Sequence, residues 1–167
     1  LKIADVTEWG KASDFKVFNS AESVRALMIP GGAAFSRKEI DDQFFDKISN
    51  DTRELEFINC EFKDLSRIEK LANLKILVMI NCKDVDIKQI LGLKQLEYFK
   101  LQSKSIINAS LFVEFKKLKY LSFSQVKLTN IQFLQKIPLE SLELIGVKNN
   151  LTLIGKIHTL KKLNVSS

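Results

Sequence analysis

The sequence predicts an α/β solenoid, with a parallel sheet on a concave face and short helical or 3₁₀ segments on a convex face. Two observations support this fold class. A strand-like apolar pattern returns at a nearly constant spacing, and the apolar residues between these strands recur every third position. A fixed period of this length is typical of stacked repeats, because one unit cannot bury its apolar face alone.

The predicted strands share the pattern apolar-x-x-apolar-x-apolar. Its middle apolar position falls at residues 55, 77, 99, 121, 142 and 163, so successive spacings are 22, 22, 22, 21 and 21 residues. An earlier triplet, Val24/Leu27/Ile29, fits the same strand but lies 28 residues upstream of Leu55. We interpret it as an irregular first repeat.

The return segments show a three-residue period, which suits a 3₁₀ or short α segment with one inward face. These apolar positions are Phe62, Leu65, Ile68 and Leu71; Ile87, Ile90 and Leu93; Ile106, Ala109, Phe112 and Phe115; and Leu128, Ile131, Leu134 and Ile137. Each unit is therefore predicted to be a strand, a turn and a return running antiparallel to the strand.

The segment Leu118-Lys-Tyr-Leu121-Ser-Phe123-Ser-Gln-Val126-Lys-Leu128 resembles the L-x-x-L-x-L-x-x-N/C-x-L signature of the leucine-rich-repeat family. The 22-residue unit is similar to the subclass found in bacterial internalins, and the resemblance runs from about Val24 to Val165. It implies that the concave sheet binds proteins. The Asn/Cys position of the signature reads Cys60, Cys82, Lys104, Val126 and Val147. The buried ladder is thus expected only in the first two repeats, with a distortion at Lys104.

The domain organisation predicted is an N-terminal cap over residues 1–22, which includes Trp9, and a solenoid over residues 23–167, together one domain. The pair Gly31-Gly32 is predicted to be a turn, and residues 35–48 an α-helix on the convex side with Ser36 as N-cap. The C-terminal end shows no cap. This end is expected either to bind a partner, to self-associate with a second copy, or to result from truncation of the chain.

Composition excludes several classes of protein. The longest apolar run, at residues 76–80, is far shorter than the roughly 20 residues of a membrane span, so no membrane partner is expected. Cys60 and Cys82 are too few for a disulfide scaffold, and we expect buried free thiols in a cytoplasmic protein. An extracellular location stays open, because the chain begins at Leu1 and has four Asn-x-Ser/Thr sequons, which we interpret as chance matches.

No residues are arranged for catalysis, and we expect neither enzyme activity nor a cofactor nor a metal. The one histidine, His158, is predicted to be a solvated turn residue and cannot build a multi-histidine metal site. No phosphate-binding loop is present. Glu54 and Glu56 are carboxylates of one strand, but Ile76 and Val78 occupy the same columns in the next repeat, so no polar pocket is expected around them.

Residues between the core positions of each strand are predicted to form columns on the concave surface. In the first strand these are Ala26, Met28 and Pro30. The predicted partner-binding residues lie further along the sheet: Glu56, Ile58, Ile76, Val78, Ile80, Tyr98, Lys100, Tyr120 and Ser122. Such an apolar and aromatic cluster with charged neighbours is typical of protein interfaces, although β-branched residues also favour strands for structural reasons. Replacing both tyrosines with alanine is expected to weaken binding without changing thermal unfolding.

The net charge of +6 is uneven, with −3 over residues 1–56 and +9 over residues 57–167. Strand entrances hold Lys75, Lys94, Lys116, Lys117, Lys119, Lys161 and Lys162, predicted to form one rim that Glu97, Glu114 and Glu140 interrupt. This pattern favours solubility over nucleic-acid binding. The function predicted is a cytoplasmic immunity-type protein that binds and blocks a toxin. The alternatives are an internalin-like surface adhesin and a nucleic-acid-binding protein that uses the basic half.

Overall fold

The computed structural model describes residues 15–17, 25–27, 32–36, 40, 42–83, 85–147 and 151–166; for the first three of these ranges it describes the backbone alone. Seven strands form one parallel sheet in the order β3-β4-β5-β7-β9-β10-β11. Their bounds are β3 (Gly32–Ser36), β4 (Glu54–Ile58), β5 (Ile76–Ile80), β7 (Tyr98–Gln102), β9 (Tyr120–Ser124), β10 (Ser141–Ile145) and β11 (Lys162–Ser166). The predicted solenoid with a parallel sheet is confirmed.

Two small sheets accompany the large one. Strands β1 (Phe15–Val17) and β2 (Arg25–Leu27) pair antiparallel, and β6 (Val85–Asp86) pairs in parallel with β8 (Ile106–Ile107). Six 3₁₀ segments follow the strands of the large sheet: η1 (Asp42–Lys47), η2 (Ser66–Lys70), η3 (Ile87–Ile90), η4 (Ala109–Glu114), η5 (Gln132–Lys136) and η6 (Leu151–Lys156).

The backbone of the return segments explains their three-residue period. Around η2 the amide of Ile68 donates to the carbonyl of Leu65 at 3.0 Å, Leu71 to Ile68 at 2.9 Å and Leu74 to Leu71 at 2.9 Å. Each bond spans three residues, as in a 3₁₀ helix, so every third side chain faces the same way. These side chains are fully buried in one continuous apolar core. The predicted 3₁₀ returns are therefore confirmed.

The prediction for the first strand was wrong. Leu27 does not enter the large sheet, because β2 pairs with β1, and β3 takes the edge position next to β4. Val24 and Ile29 lie outside the described residues. Ala33 is aligned with Leu55 and Phe35 with Phe57, so the 22-residue spacing in fact continues one repeat upstream. The strand Gly-Ala-Ala-Phe-Ser has few strand-forming residues, which hid the repeat. Ala26 is consequently not a residue of the concave columns, and Met28 and Pro30 lie outside the described residues.

Two linked predictions for this region were also wrong. Gly32 begins β3, so it does not belong to a turn. Residues 35–48 do not form an α-helix: Phe35 and Ser36 end β3, Ile40 bridges to Phe62, and η1 is a six-residue 3₁₀ segment. The repeat imposes its own return geometry here, and the helical spacing of the apolar residues is overridden by stacking on η2. The proposed boundary between residues 22 and 23, and Trp9, lie outside the described residues.

The predicted distortion at Lys104 is confirmed, and its cause is the neighbouring Ser103. Asn59, Asn81 and Gln125 take positive φ angles of 55°, 54° and 60° after their strands. Ser103 does not, so its side chain turns into the core in place of Lys104. The Ser103 hydroxyl donates to the Cys82 carbonyl at 2.7 Å. Ser103 thus takes the buried position that Cys60 and Cys82 occupy in the preceding repeats, while Lys104 is exposed.

The far edge of the sheet is less covered than the rest of the core. Leu163 and Val165 of β11 are aligned with the buried Leu142 and Leu144, yet they are 51% and 43% exposed. Apolar core positions are thus accessible at this end of the described chain. Self-association there stays a prediction.

Candidate functional site

The strands bring the predicted partner-binding residues together in three straight columns. The first holds Glu54, Ile76, Tyr98, Tyr120, Ser141 and Lys162; the second holds Glu56, Val78, Lys100, Ser122, Glu143 and Asn164; the third holds Ile58, Ile80, Gln102, Ser124, Ile145 and Ser166. Neighbouring side chains in a column are separated by one strand spacing, about 4.8 Å. The predicted register is correct from β4 to β11, and β3 contributes Gly32, Ala34 and Ser36 upstream.

We call Ile58, Ile76, Val78, Ile80, Tyr98 and Tyr120 the concave patch. Its members are not equally accessible. Val78 and Tyr98 are each only 8% exposed, whereas Ile58, Ile76, Ile80 and Tyr120 are half-buried. Val78 and Tyr98 lie on β5 and β7, which have strands of the sheet on either side. The surface that a partner can touch is therefore formed mainly by the three isoleucines and Tyr120.

The two tyrosines of the concave patch stack on each other. Their ring centroids are 6.3 Å apart and the ring planes meet at 28°. Because β7 and β9 are adjacent and Tyr98 is aligned with Tyr120, this contact is a cross-strand pair of the sheet. Tyr98 therefore serves the packing of the monomer, and the expectation that its removal leaves unfolding unchanged is not supported by its burial.

A polar network that the sequence reasoning missed lies beyond the concave patch. The Ser122 hydroxyl donates to Oε2 of Glu143 at 2.6 Å, and Nδ2 of Asn164 donates to Oε1 of the same carboxylate at 2.9 Å. All three residues belong to one column, so each contact crosses a single strand spacing. The alignment of hydroxyl, carboxylate and amide in that column could have indicated this network. It orients Glu143 and makes this half of the face polar.

The opposite margin of the concave patch is acidic. Glu54 and Glu56 both project from β4, and each is half-buried. Burial raises the pKa of the Glu54 carboxyl above its usual value, because the charged form loses hydration. Ile76 and Val78 are their cross-strand neighbours, as predicted, so the two carboxylates meet an apolar surface. Among the described residues, they do not belong to a group of side chains that could hold a metal ion.

Replacing Glu54 with glutamine is expected to stabilise the protein at neutral pH. A carboxyl whose pKa is raised by folding binds more protons in the native state. The free energy of unfolding therefore falls as the pH rises from the pKa of the unfolded state through that of the folded state. The gain of Glu54→Gln should be full at pH 7 and should disappear below the ordinary carboxyl pKa of about 4.3. Urea unfolding of both proteins at pH 7 and pH 3.5 measures this difference. Glu114→Gln, at an exposed site, is the control, and an equal gain there at pH 7 would contradict the assignment.

The lysines at the strand entrances form a charge ladder and not one basic rim. Lys75, Glu97, Lys119, Glu140 and Lys161 occupy the same position in five successive repeats, joined by backbone hydrogen bonds of 2.8–2.9 Å. Ion pairs link Lys75 to Glu97 at 2.9 Å, Lys119 to Glu140 at 3.4 Å and Lys161 to Glu140 at 2.8 Å. The hydrogen bond from Lys161 is the main cause that lowers the pKa of Glu140. Signs alternate, so positive charge does not accumulate there.

The other lysines of that group lie elsewhere. Lys94, Lys116 and Lys117 are exposed turn residues before their strands, and Lys162 begins β11 within the first concave column. The lysines thus occupy several positions of the repeat and do not form one continuous column, and Glu97 and Glu140 interrupt them as predicted.

Cys60 and Cys82 are buried free thiols, as predicted. The Cys60 thiol donates to the Ile58 carbonyl at 3.3 Å, and Cys82 contacts the carbonyls of Phe57 and Ile80 at 3.6 Å each. A hydrogen bond with the Cys60 thiol, together with burial, raises the pKa of Cys82 strongly. A thiol held in its protonated form is a poor nucleophile. His158 is exposed in a turn, also as predicted.

Within the part of the chain that the structure describes, no helix is both long and apolar enough to cross a bilayer.

Comparison with solved structures shows the same architecture. The chain is similar to an internalin C2 of Listeria monocytogenes, with 16% identity and a TM-score of 0.57 over 82% of this chain and 73% of that one. An internalin (inlF) of the same species gives 20% identity and a TM-score of 0.55 over 71% of this chain and 43% of that one. A leucine-rich-repeat protein of Leptospira interrogans gives 19% identity and a TM-score of 0.54 over 71% of this chain and 33% of that one. Identities this low establish the fold alone.

Sequence comparison with curated proteins gives only short matches. An aspartate–tRNA(Asp/Asn) ligase of Oleidesulfovibrio alaskensis is 52% identical over 42 residues, which are 25% of this chain and 7% of that protein. An aspartate–tRNA ligase of Xanthomonas oryzae is 51% identical over 47 residues, 8% of its length. The chain thus spans less than a tenth of the curated relatives it matches. No protein-family model matches the chain.

Proposed function

We propose that this chain, whose fold is that of a leucine-rich-repeat solenoid of the internalin type, is a non-enzymatic module that binds another protein on its concave face. The observation that carries the proposal is the concave patch. Apolar side chains from β4, β5, β7 and β9 remain partly accessible side by side on one curved surface. A contiguous patch of this kind is typical of an interaction surface.

The charges around the concave patch suit a protein partner. Lys100 lies in the central column between Val78 and Ser122 and forms no ion pair with any residue that the structure describes. Glu56 lies at one margin, and the fixed carboxylate of Glu143 lies beyond the other. An apolar centre with charges of both signs at its margins matches the anatomy of protein interfaces. The predicted binding set is retained, with Ile58, Ile76, Ile80 and Tyr120 as the direct contacts.

Nucleic-acid binding is the weaker alternative. A surface that tracks phosphates needs a stripe of unpaired cations. The charge ladder places Glu97 and Glu140 between lysines of the same column, and both carboxylates are paired with them. The excess positive charge of residues 57–167 is therefore not collected into one groove at the strand entrances.

The finer proposal is a cytoplasmic immunity-type protein that binds and blocks a toxin. It is supported by the two buried, hydrogen-bonded thiols, which suit a reducing compartment. The rival is an internalin-like surface adhesin, which is favoured by the likeness to the Listeria internalin folds. Both require the same concave face. They differ in the partner, a toxin in one case and a surface component of another cell in the other.

A double substitution of two accessible isoleucines tests the concave face. Ile58→Arg with Ile80→Arg places two charges in the third column without removing a fully buried side chain. Buried charges without partners oppose association, so we expect partner retention to fall at least about tenfold. The measurement is quantitative mass spectrometry of proteins retained from a bacterial lysate by the immobilised chain, comparing wild type with the variant.

Two controls accompany this measurement. Lys94→Glu changes the charge at an exposed turn off the concave face and should retain the same proteins as wild type. Circular dichroism must show that the double variant is folded. If the folded double variant retained the same proteins as wild type in equal amounts, the concave face would not be the binding surface. Retention of a protein whose toxicity the chain suppresses would support the immunity-type proposal over the adhesin.

A further inference from the structure

A groove of about 660 Å³ lies on the convex side, away from the concave face. One wall is formed by β8 and η4, and the other by the turn and 3₁₀ segment at residues 127–136, with Leu153 of η6 also in the lining. Its volume is within the range of about 300–1,000 Å³ for pockets that hold ligands. It accommodates a few side chains and not a folded surface.

The groove lies where the small sheet of the convex side ends. Ser103 turns inward in place of Lys104, and the chain then forms β8, which pairs with β6 of the preceding repeat. The next repeat does not continue this small sheet, because residues 126–131 form no strand. The two walls therefore separate between β8 and residues 127–131.

The lining has an apolar base. Leu128 and Phe133 are each 6% exposed, and Ile106, Val113 and Leu153 are half-buried around them. Several amides of the walls are already engaged within the chain. Nδ2 of Asn108 donates to Asp86 at 2.8 Å, and Nε2 of Gln135 donates to the Leu153 carbonyl at 3.0 Å. The groove thus offers apolar contact at its base, while Ser110, Thr129, Asn130 and Gln132 add neutral polar groups to its lining.

The charge of the lining has one sign. Lys127 and Lys136 both line the groove and are exposed, and no Asp or Glu is among its described lining residues. Neither lysine forms an ion pair within the described chain, in contrast to Lys119 and Lys161 of the charge ladder. Asp86, which accepts the hydrogen bond from Asn108, is outside the lining. Two unpaired cations beside an apolar base are complementary to an anionic ligand with an apolar body.

We propose that this groove is a second binding site, for a short acidic segment of a partner protein that carries apolar side chains. The apolar side chains of the segment contact Val113, Leu128 and Phe133. Its carboxylates pair with Lys127 and Lys136. This site is independent of the concave face, so the two can engage one partner or two different ones.

The test is fluorescence anisotropy at low ionic strength with a labelled hexapeptide, Glu-Leu-Asp-Leu-Glu-Phe, and its counterpart in which lysine replaces each acidic residue. We expect the acidic peptide to bind wild type with a Kd at or below about 100 µM. The double substitution Lys127→Glu with Lys136→Glu should weaken binding at least about fivefold, since it reverses both charges. Val113→Trp, which fills the groove and keeps both lysines, should weaken binding similarly.

Two matched variants make the outcome specific. Lys94→Glu should leave the affinity unchanged within about twofold once general charge is allowed for. Ile58→Arg with Ile80→Arg should also leave it unchanged, so failure of the concave face and failure of the groove are distinguishable. Absence of saturable binding up to about 1 mM, equal affinity for the basic peptide, or an unchanged affinity of both the charge-reversed and the filled variants would overturn the proposal.

Discussion

Phe112→Ala is expected to lower the free energy of unfolding by about 3–5 kcal/mol, the range for truncating a fully buried aromatic side chain. Phe112 has no exposed surface and contacts four other phenylalanine rings. Their centroids lie 5.0 Å from it for Phe99, 5.7 Å for Phe115 and for Phe123, and 6.2 Å for Phe133.

Phe99 lies in β7, Phe115 directly follows η4, and Phe123 and Phe133 lie in β9 and η5, so Phe112 joins two consecutive repeats. In a solenoid each repeat contacts only its neighbours, and stability is nearly a sum of repeat and interface terms. A cavity at this place weakens both the packing within the β7 repeat and its interface with the β9 repeat. We therefore expect a broader urea transition for Phe112→Ala, with a lower apparent m-value, besides a lower midpoint.

Urea unfolding followed by circular dichroism measures both quantities. Phe62→Ala is the matched control, because Phe62 is half-buried and its closest ring partner is Phe57, at 4.9 Å. Phe62→Ala should lower the free energy of unfolding clearly less than Phe112→Ala does, because part of the Phe62 side chain is already hydrated in the native state. A loss for Phe112→Ala no larger than for Phe62→Ala would show that the aromatic cluster does not couple the repeats.

The repeat register could be predicted from sequence because it depends on period alone. Leu55, Leu77, Phe99, Leu121 and Leu142 are aligned on neighbouring strands as their spacing requires. A parallel ladder with side chains alternating between two faces allows no other alignment without turning core residues outward. The columns of the concave face followed from the same rule.

The features that were missed depend on neighbours that the period does not specify. The edge strand β3 aligns Ala33 with Leu55 and Phe35 with Phe57, so it continues the repeat without a leucine. Ser103 replaces a ladder residue because its hydroxyl can reach the Cys82 carbonyl, a choice between adjacent residues that spacing cannot resolve. The burial of Val78 and Tyr98 likewise depends on side chains of neighbouring strands, which the period does not specify.

Tyr98→Ala is expected to destabilise the protein by about 2–4 kcal/mol, in contrast to the near-neutral effect that the sequence predicted. Tyr98 is 8% exposed, its ring stacks on Tyr120, and Ile76 is its other neighbour in the column. Truncation removes this contact and exposes Ile76 and Tyr120 to water. Tyr120→Ala should cost about half as much, because Tyr120 is more exposed and β10 offers only Ser141 beside it.

Thermal unfolding of the two single variants and of Tyr98→Phe separates packing from recognition. Tyr98→Phe keeps the stacked ring, so it should retain more than half of the stability that Tyr98→Ala loses. A folded Tyr120→Ala variant that binds its partner weakly would assign Tyr120 to the interface. If Tyr98→Ala unfolds at the wild-type temperature, the ring does not support the sheet. Tyr98 would then be an accessible contact like Tyr120, and the double alanine variant would again be a valid test of binding.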